Sequence, residues 1–134
     1  MWSRRMPAAV HAERGARGQE AEAVAAAWLE RQGYRVLARN HRTRRGEVDL
    51  VCVEGGALCF IEVRSRSRLD YGSPAASITV AKARRVLAAA TDYAVSHGGL
   101  EQPMRFDVVA VDLSGPAPRC ELFRNAFDAD GRPF

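Results

Sequence analysis

Cysteine and long apolar runs are both scarce in this sequence. The three cysteines, Cys52, Cys59 and Cys120, are an odd number and include no CxxC pair, which excludes a disulfide framework and a cysteine-ligated zinc site. Two of them fall inside apolar runs, where we predict small buried side chains. No apolar run approaches the roughly 18 residues of a membrane-spanning helix. Residues 1–17 also lack the apolar stretch of a signal peptide, and we therefore expect a cytoplasmic protein with no membrane partner.

Lysine is nearly absent. Of the 20 basic residues, 19 are arginine, and Lys82 is the single lysine. Such a bias, beside abundant alanine and glycine, is typical of a GC-rich genome, so arginine alone says little about function. Lysine differs because it is a compact charge whose pKa can shift, and two interpretations of Lys82 stay open, a functional cation and an ordinary residue of a helix surface. The formal charge of +4 is a mild basic excess that favours a polyanionic partner.

The chain of 134 residues is long enough for one domain with one core. We predict a mobile basic arm at 1–17, a folded domain at 18–127 and a tail at 128–134. Apolar periodicity and turn residues predict two helices, at 18–32 and 80–96, and five strands, at 34–40, 47–53, 57–64, 105–113 and 120–124. The order αβββαββ predicts an α/β fold with a central mixed five-stranded sheet flanked by helices.

Two glycines, Gly55 and Gly56, separate two alternating strand-like runs and indicate a tight hairpin turn. In the register of a two-residue turn, Asp49 lies opposite Glu62, with Cβ atoms about 4.5–5.5 Å apart. Like charges in such a pair are destabilising, so a cation should compensate them. A three-residue loop would instead shift the register by one and separate the two acids.

A hard divalent cation suits two carboxylates of this kind. Mg²⁺ is held by one or two carboxylates, keeps several waters and takes substrate phosphates into its remaining positions. It can polarise a phosphodiester and activate a bound water. The alternative is a surface hairpin in which Arg64 and Arg66 form ordinary ion pairs with the acids.

Arginines surround the acidic hairpin in sequence. Their functional interpretation is a rim that contacts nucleic-acid phosphates, and the alternative is a solvated charged face. No aromatic residues are interleaved with them, so recognition of nucleic-acid shape is favoured over base-specific contacts. The residues are Arg42, Arg44, Arg45, Arg66, Arg68, Arg84 and Arg85.

Several separate runs, in this order, resemble the small bacterial YraN family. They include residues 46–51 (GEVDLV), 60–66 (FIEVRSR), 105–109 (RFDVV) and 125–127 (NAF), together with Lys82. That family is similar to archaeal Holliday-junction resolvases in the PD-(D/E)xK nuclease superfamily. The resemblance implies a restriction-endonuclease-like fold, a Mg²⁺ or Mn²⁺ cofactor and a DNA partner, with branched and single-stranded DNA as candidates. A junction substrate would imply a homodimer, because symmetric cleavage needs two sites.

The same resemblance assigns roles to residues. Asp49 and Glu62 match the metal-binding acids, the backbone carbonyl of Val63 is a further ligand, and Glu22 matches a helix acid near the metal. The superfamily motif ends in lysine, but this sequence has Arg64 there, which keeps the charge but is a poor proton shuttle. Lys82 is then the candidate for a relocated catalytic cation, provided that its amine reaches the acids.

The sequence therefore supports a metal-dependent endonuclease acting on DNA as the first hypothesis. Arg64 favours a rival, a catalytically inactive nucleic-acid-binding module that keeps the nuclease fold and recruits a partner. A structural protein without a nucleic-acid role ranks last. Asp107, in an apolar strand, is predicted to be structural and to pair with Arg105 or Arg45.

Overall fold

Within the part of the chain that the structure describes, the fold has two helices and five strands in the predicted order αβββαββ. The computed structural model describes residues 8–65, 78–98 and 101–127, with side chains from residue 18 onward. The predicted tail at 128–134 and the predicted phosphate contacts Arg66 and Arg68 lie outside these residues. The elements are α1 (Ala8–Arg31), β1 (Arg35–Arg42), β2 (Glu47–Glu54), β3 (Ala57–Ser65), α2 (Val80–His97), β4 (Met104–Asp112) and β5 (Arg119–Phe123).

Helix α1 begins at Ala8, so the boundary predicted at Gly18 falls inside the helix. Alanine, glutamate and arginine are good helix formers and allow the helix to extend through the two intervening glycines. Whether 1–17 moves as an arm stays a prediction, and 1–7 lie outside the described part of the chain. The helix ends where predicted, because Gly33 adopts a left-handed φ of 93°.

The strands form a single sheet in the order β1-β2-β3-β4-β5. Only the pairing of β3 with β4 is parallel, and a parallel pair needs a long crossover, which here carries α2. Thr79 caps the start of α2, and Gly98, at φ 72°, ends it. The mixed sheet and the second helix thus agree with the sequence prediction.

The tight hairpin is confirmed. Gly55 and Gly56 have φ values of 58° and 78°, as a two-residue turn with two left-handed positions requires. Backbone pairing runs in the predicted register from Glu54↔Ala57 to Leu50↔Ile61. The hairpin therefore lies at one end of the sheet, and its two acids lie toward the other.

Each face of the sheet packs against one helix. Val51 and Phe60 belong to the core under α2, whereas Leu50 and Ile61 belong to the core under α1. Alternation along a strand produces this division. Sheet residues between the helices are buried on both faces, so a charged group there must find its partner within the protein.

Cys52 and Cys59 are buried, are directly paired across β2 and β3, and carry free thiols. Both match the prediction of small buried side chains, and Cys120 is half-buried. Neither α1 nor α2 has a stretch long and apolar enough to cross a lipid bilayer.

Candidate metal site and basic cleft

Asp49 lies just beyond the point where the backbone pairing between β2 and β3 ends. The backbone ladder between the two strands stops at Leu50↔Ile61, one position before Asp49 and Glu62. The Val63 amide donates a 2.8 Å hydrogen bond to Oδ2 of Asp49, so a carboxylate takes a bond that a backbone carbonyl would accept in a regular ladder. The predicted proximity of the two acids is present, and Asp49 is held in place by the strand that carries Glu62.

An irregularity of the backbone accompanies this opening. Asn40 lies between the pairs Arg39↔Leu50 and His41↔Val48 and has a left-handed φ of 53°, a region that asparagine tolerates better than most residues. Val48 packs on the α2 side although alternation from Leu50 predicts the α1 side. The alternation of β2 is thus interrupted beside Asp49, a feature that sequence reasoning missed and that only the asparagine could have signalled.

Both carboxyl groups are costly to ionise in this position. Glu62 is 2% exposed, and burial, followed by the charge of Asp49, raises its pKa to about 7. Burial is also the main cause that raises the pKa of Asp49 to about 6, with smaller contributions from Glu22 and Glu47. The Val63 amide and Lys82 act in the opposite direction. The site therefore has more negative charge than its neighbours compensate.

The only lysine of the sequence reaches this site. Its Nζ lies 3.3 Å from Oε2 of Glu62. Its backbone amide donates a 3.0 Å hydrogen bond to Oγ1 of Thr79, the residue that caps α2, so the cap fixes Lys82 in the first turn. Arg64, half-buried two residues beyond Glu62, also lowers the pKa of Glu62. The amine of Lys82 thus reaches one of the two acids, as the sequence prediction required.

Glu22 lies near enough to raise the pKa of Asp49, as its predicted position implies. However, no group of three or more His, Cys, Asp or Glu residues suited to a metal occurs in the described ranges. The structure brings together two acids whose charges interact, Asp49 and Glu62, and the Val63 backbone, whose amide bonds Asp49. The Val63 carbonyl faces the same neighbouring strand as this amide. Two carboxylates and a carbonyl fit a hard cation that keeps waters for its other positions.

A basic cleft lies between the β1–β2 loop and α2. It has a volume of about 670 Å³ and is lined by Arg44 and Arg45 from the loop and by Arg84 from the helix. A smaller hollow of about 160 Å³ shares both loop arginines and adds Arg42 and Arg85. The fold thus brings together five of the seven predicted phosphate contacts.

Gly46 fixes the loop against the helix. A Cβ atom at this position would lie 1.9 Å from the backbone oxygen of Arg85, so any side chain would push the loop away from α2. Thr43 closes the loop from the other side, since its Oγ1 accepts hydrogen bonds from the amides of Arg45 and Gly46, both at 3.1 Å. In the sequence, Gly46 stands out only as part of a motif. The contact that requires glycine is with the Arg85 backbone of α2, which is distant in the chain.

Asp107 has no place in the candidate metal site. It is fully buried and both of its oxygens accept from Nε of Arg105 at 3.0 Å. Tyr34 and the Asn125 amide complete its hydrogen bonds, at 3.2 and 3.0 Å. The prediction of a structural role and of the Arg105 pairing is confirmed, and Arg45 is not its partner.

The comparisons with known proteins agree on one family. The model of the uncharacterised protein family UPF0102 matches residues 21–111. A UPF0102 protein of Anaeromyxobacter sp. (strain Fw109-5) is 58% identical over 90% of this chain and 91% of its own. One from Anaeromyxobacter dehalogenans is 60% identical over 90% of each chain. A more distant one, from Symbiobacterium thermophilum, is 44% identical over 84% of this chain and 96% of its own.

Proposed function

The chain belongs to the uncharacterised protein family UPF0102, and we propose that it is a Mg²⁺- or Mn²⁺-dependent endonuclease that hydrolyses phosphodiester bonds in DNA, branched DNA included. The observation that carries the proposal is the pair Asp49 and Glu62, with Lys82 at 3.3 Å from the second acid. The αβββαββ order supports the proposal, and the motif around these acids resembles that of the PD-(D/E)xK nucleases apart from Arg64. The basic cleft between the β1–β2 loop and α2 supplies a surface for the DNA backbone, and its smaller hollow is lined by Glu47, whose charge raises the pKa of Asp49.

In this function the protein's own groups divide the work between binding and charge stabilisation. Asp49, Glu62 and the Val63 carbonyl would hold the cation, which when bound supplies Lewis acidity and a water of lowered pKa. Glu22 adds negative charge behind Asp49 and would support a second ion or an ordered water. The Val63 amide orients the Asp49 carboxylate through its 2.8 Å bond.

Lys82 and Arg64 would act on the phosphate. A preorganised cation near a developing charge lowers the barrier without reorganisation at the moment of reaction. Lys82 also has a proton that it can exchange, whereas arginine keeps its charge at all relevant pH values. The lysine in the first turn of α2 would therefore take the part of the lysine that Arg64 replaces in the strand motif.

Arginine at the motif position also favours a second function, a catalytically inactive DNA-binding module of the same fold that recruits a partner. In that case Lys82 would serve only as the ion-pair partner of Glu62, and the arginines of the cleft would carry the whole activity. The two functions differ in what the acids do, because only the nuclease needs them.

The test uses purified protein with Mn²⁺ and labelled four-way, flap and single-stranded DNA. We expect metal-dependent nicking that is lost in Asp49→Asn and Glu62→Gln, while DNA affinity is kept. Glu101→Gln is the matched control, since Glu101 is an exposed acid at the hairpin end of the sheet. DNA that is bound but never cut, with equal affinity for wild type and Asp49→Asn, would establish the binding module instead.

The oligomeric state follows from the same proposal. A four-way junction has two strands to cut symmetrically, so a nuclease acting on it needs two copies of the site related by a two-fold axis. Sedimentation with and without a junction checks this. A junction that is cut at paired positions by a monomer at all concentrations would argue against the dimer.

A further inference from the structure

The wall of the basic cleft formed by α2 is largely apolar. Leu87 and Ala88 are half-buried and line the cleft one turn after Arg84, and Thr91 follows one turn later. Residues spaced by three and four lie on one face of a helix, so these side chains form a continuous strip. The cleft volume of about 670 Å³ is within the range of roughly 300–1,000 Å³ that is typical of small-ligand sites. A flat apolar group of nucleobase size can therefore be accommodated.

The rim of the cleft is positive and lacks local compensation. Arg44, Arg45 and Arg84 are exposed, and none forms an ion pair with an acid among the residues whose side chains are described. The one acid in the lining, Asp92, is bonded to Nε2 of His41 at 3.0 Å. Clustered guanidinium groups without acids are the usual partners of phosphates, which they contact with two N–H groups at once.

The cleft extends through the smaller hollow toward Glu47, a neighbour of Asp49 in charge. The smaller hollow shares Arg44 and Arg45 with the cleft and is also lined by Glu47, whose charge raises the pKa of Asp49.

We propose that the cleft between the β1–β2 loop and α2 binds an unpaired nucleotide of a DNA strand, with the base against Leu87 and Ala88 and the adjoining phosphates on Arg44, Arg45 and Arg84. A base in a duplex is stacked and paired on both sides and cannot reach an apolar wall of this kind, whereas an unpaired base exposes its face. This inference rests on the proposed function for the identity of the polymer. It specifies the substrate as DNA with a single-stranded segment next to the cleavage site.

The test is a binding measurement without metal, so that no cleavage occurs. Fluorescence anisotropy in EDTA compares an oligothymidylate, an abasic oligomer with the same number of phosphates, and a duplex of the same length. Burial of apolar surface contributes about 25 cal/mol per Å², so covering about 40 Å² of base and wall corresponds to about fivefold tighter binding of the oligothymidylate than of the abasic strand. Equal affinity for the two strands would overturn the inference.

Two sets of variants separate base contact from charge. Ala88→Gln fills the cleft with a neutral side chain that has no ring for a base to stack on, so it should remove the preference for the oligothymidylate and leave abasic binding unchanged. Ala27→Gln, the same substitution at an exposed position of α1 on the other face of the sheet, is the control and should change neither. Arg84→Ala should weaken the binding of all three probes. Nicking by the protein in the presence of Mn²⁺ is measured separately. If the base preference is absent but nicking occurs, the cleft proposal is wrong and the nuclease proposal is kept. If nicking is absent but the base preference occurs, the nuclease proposal is wrong and nucleotide binding in the cleft is kept.

Discussion

Two clusters of acids, each with one buried and one half-buried member, lie on opposite faces of the same sheet and are compensated very differently. On the α1 side, Asp107 and Glu54 are met by two arginines: Arg105 binds both acids, and Arg124 lies 3.1 Å from Glu54. On the α2 side, the acids near the start of β2 and the end of β3 have Lys82 at 3.3 Å from Glu62, and Arg64 also lowers the pKa of Glu62. The first cluster is a closed network in which donors and acceptors match.

The difference teaches that burial alone does not identify a functional carboxylate. Asp107 is at least as buried as Glu62, yet it accepts bonds from a guanidinium, a phenol and a backbone amide. At the other cluster, burial raises the pKa of both acids because local donors are too few. The deficit of positive charge marks the α2-side cluster as the one open to a cation.

The largest effect should come from breaking the closed network. Asp107→Ala leaves Arg105 buried without its main partner, and removing one member of a buried pair costs about 3–5 kcal/mol. Urea denaturation should show a loss of this size, whereas Glu101→Ala at an exposed position should change stability by less than about 0.5 kcal/mol. Asp107→Asn keeps the shape and should lose less. A loss of less than about 1 kcal/mol in the free energy of unfolding for Asp107→Ala would contradict the view that the Asp107 cluster is a stabilising closed network.

A smaller effect, with a pH dependence, is expected at the open cluster. The folded protein keeps a proton on Glu62 up to a pH of about 7, whereas the unfolded chain releases it near pH 4.3. The stability from this raised pKa is therefore complete below about pH 4 and is lost as the pH rises through the folded value. The glutamine of Glu62→Gln stays neutral at every pH. In EDTA, the free energy of unfolding of this variant should therefore exceed that of wild type by about 1–3 kcal/mol, with the difference developing between pH 5 and 8.

The measurement is the free energy of unfolding as a function of pH for wild type, Glu62→Gln and Glu101→Gln. The last variant should follow the wild-type curve, since its side chain is exposed. Parallel curves for wild type and Glu62→Gln would show that the carboxyl is compensated after all.

The smallest effect is expected for the lysine. The Lys82 side chain is 43% exposed although Glu62 is buried, so solvent screens the lysine, and Glu62, whose pKa is raised to about 7, can take up a proton when the lysine is lost. Lys82→Met should therefore change the free energy of unfolding by less than about 1 kcal/mol at pH 7 while abolishing or strongly reducing nicking. Lys82→Arg, which keeps the charge, should restore stability but not the full rate. A large loss of stability would place Lys82 with the structural network.

Local signals in the sequence were sufficient for most of the fold. The glycine pair set the hairpin register, and that register brought Asp49 close to Glu62. A helix start is harder to predict, because α1 extends into residues without apolar periodicity and begins at Ala8. The apolar stripe of α1 that packs on the sheet lies within residues 18–32. Apolar periodicity therefore predicted a helix for this segment and not for the residues before it.

The candidate site was predictable only in part, because its remaining features depend on contacts between distant segments. The proximity of Gly46 to the Arg85 carbonyl joins residues 39 positions apart, and the left-handed backbone at Asn40 appears only when β1 pairs with β2. Lys82 could be named from its rarity, but its distance from Glu62 required the docking of α2. The cleft likewise exists only once loop and helix meet.

A crystal of the protein soaked in Mn²⁺ tests the central claim most directly, through anomalous density at the two clusters of acids. We predict a peak within coordination distance of both Asp49 and Glu62 and none between Asp107 and Glu54. Density at neither cluster, with Lys82 or Arg64 bridging the gap between Asp49 and Glu62, would contradict the assignment of these acids to a metal.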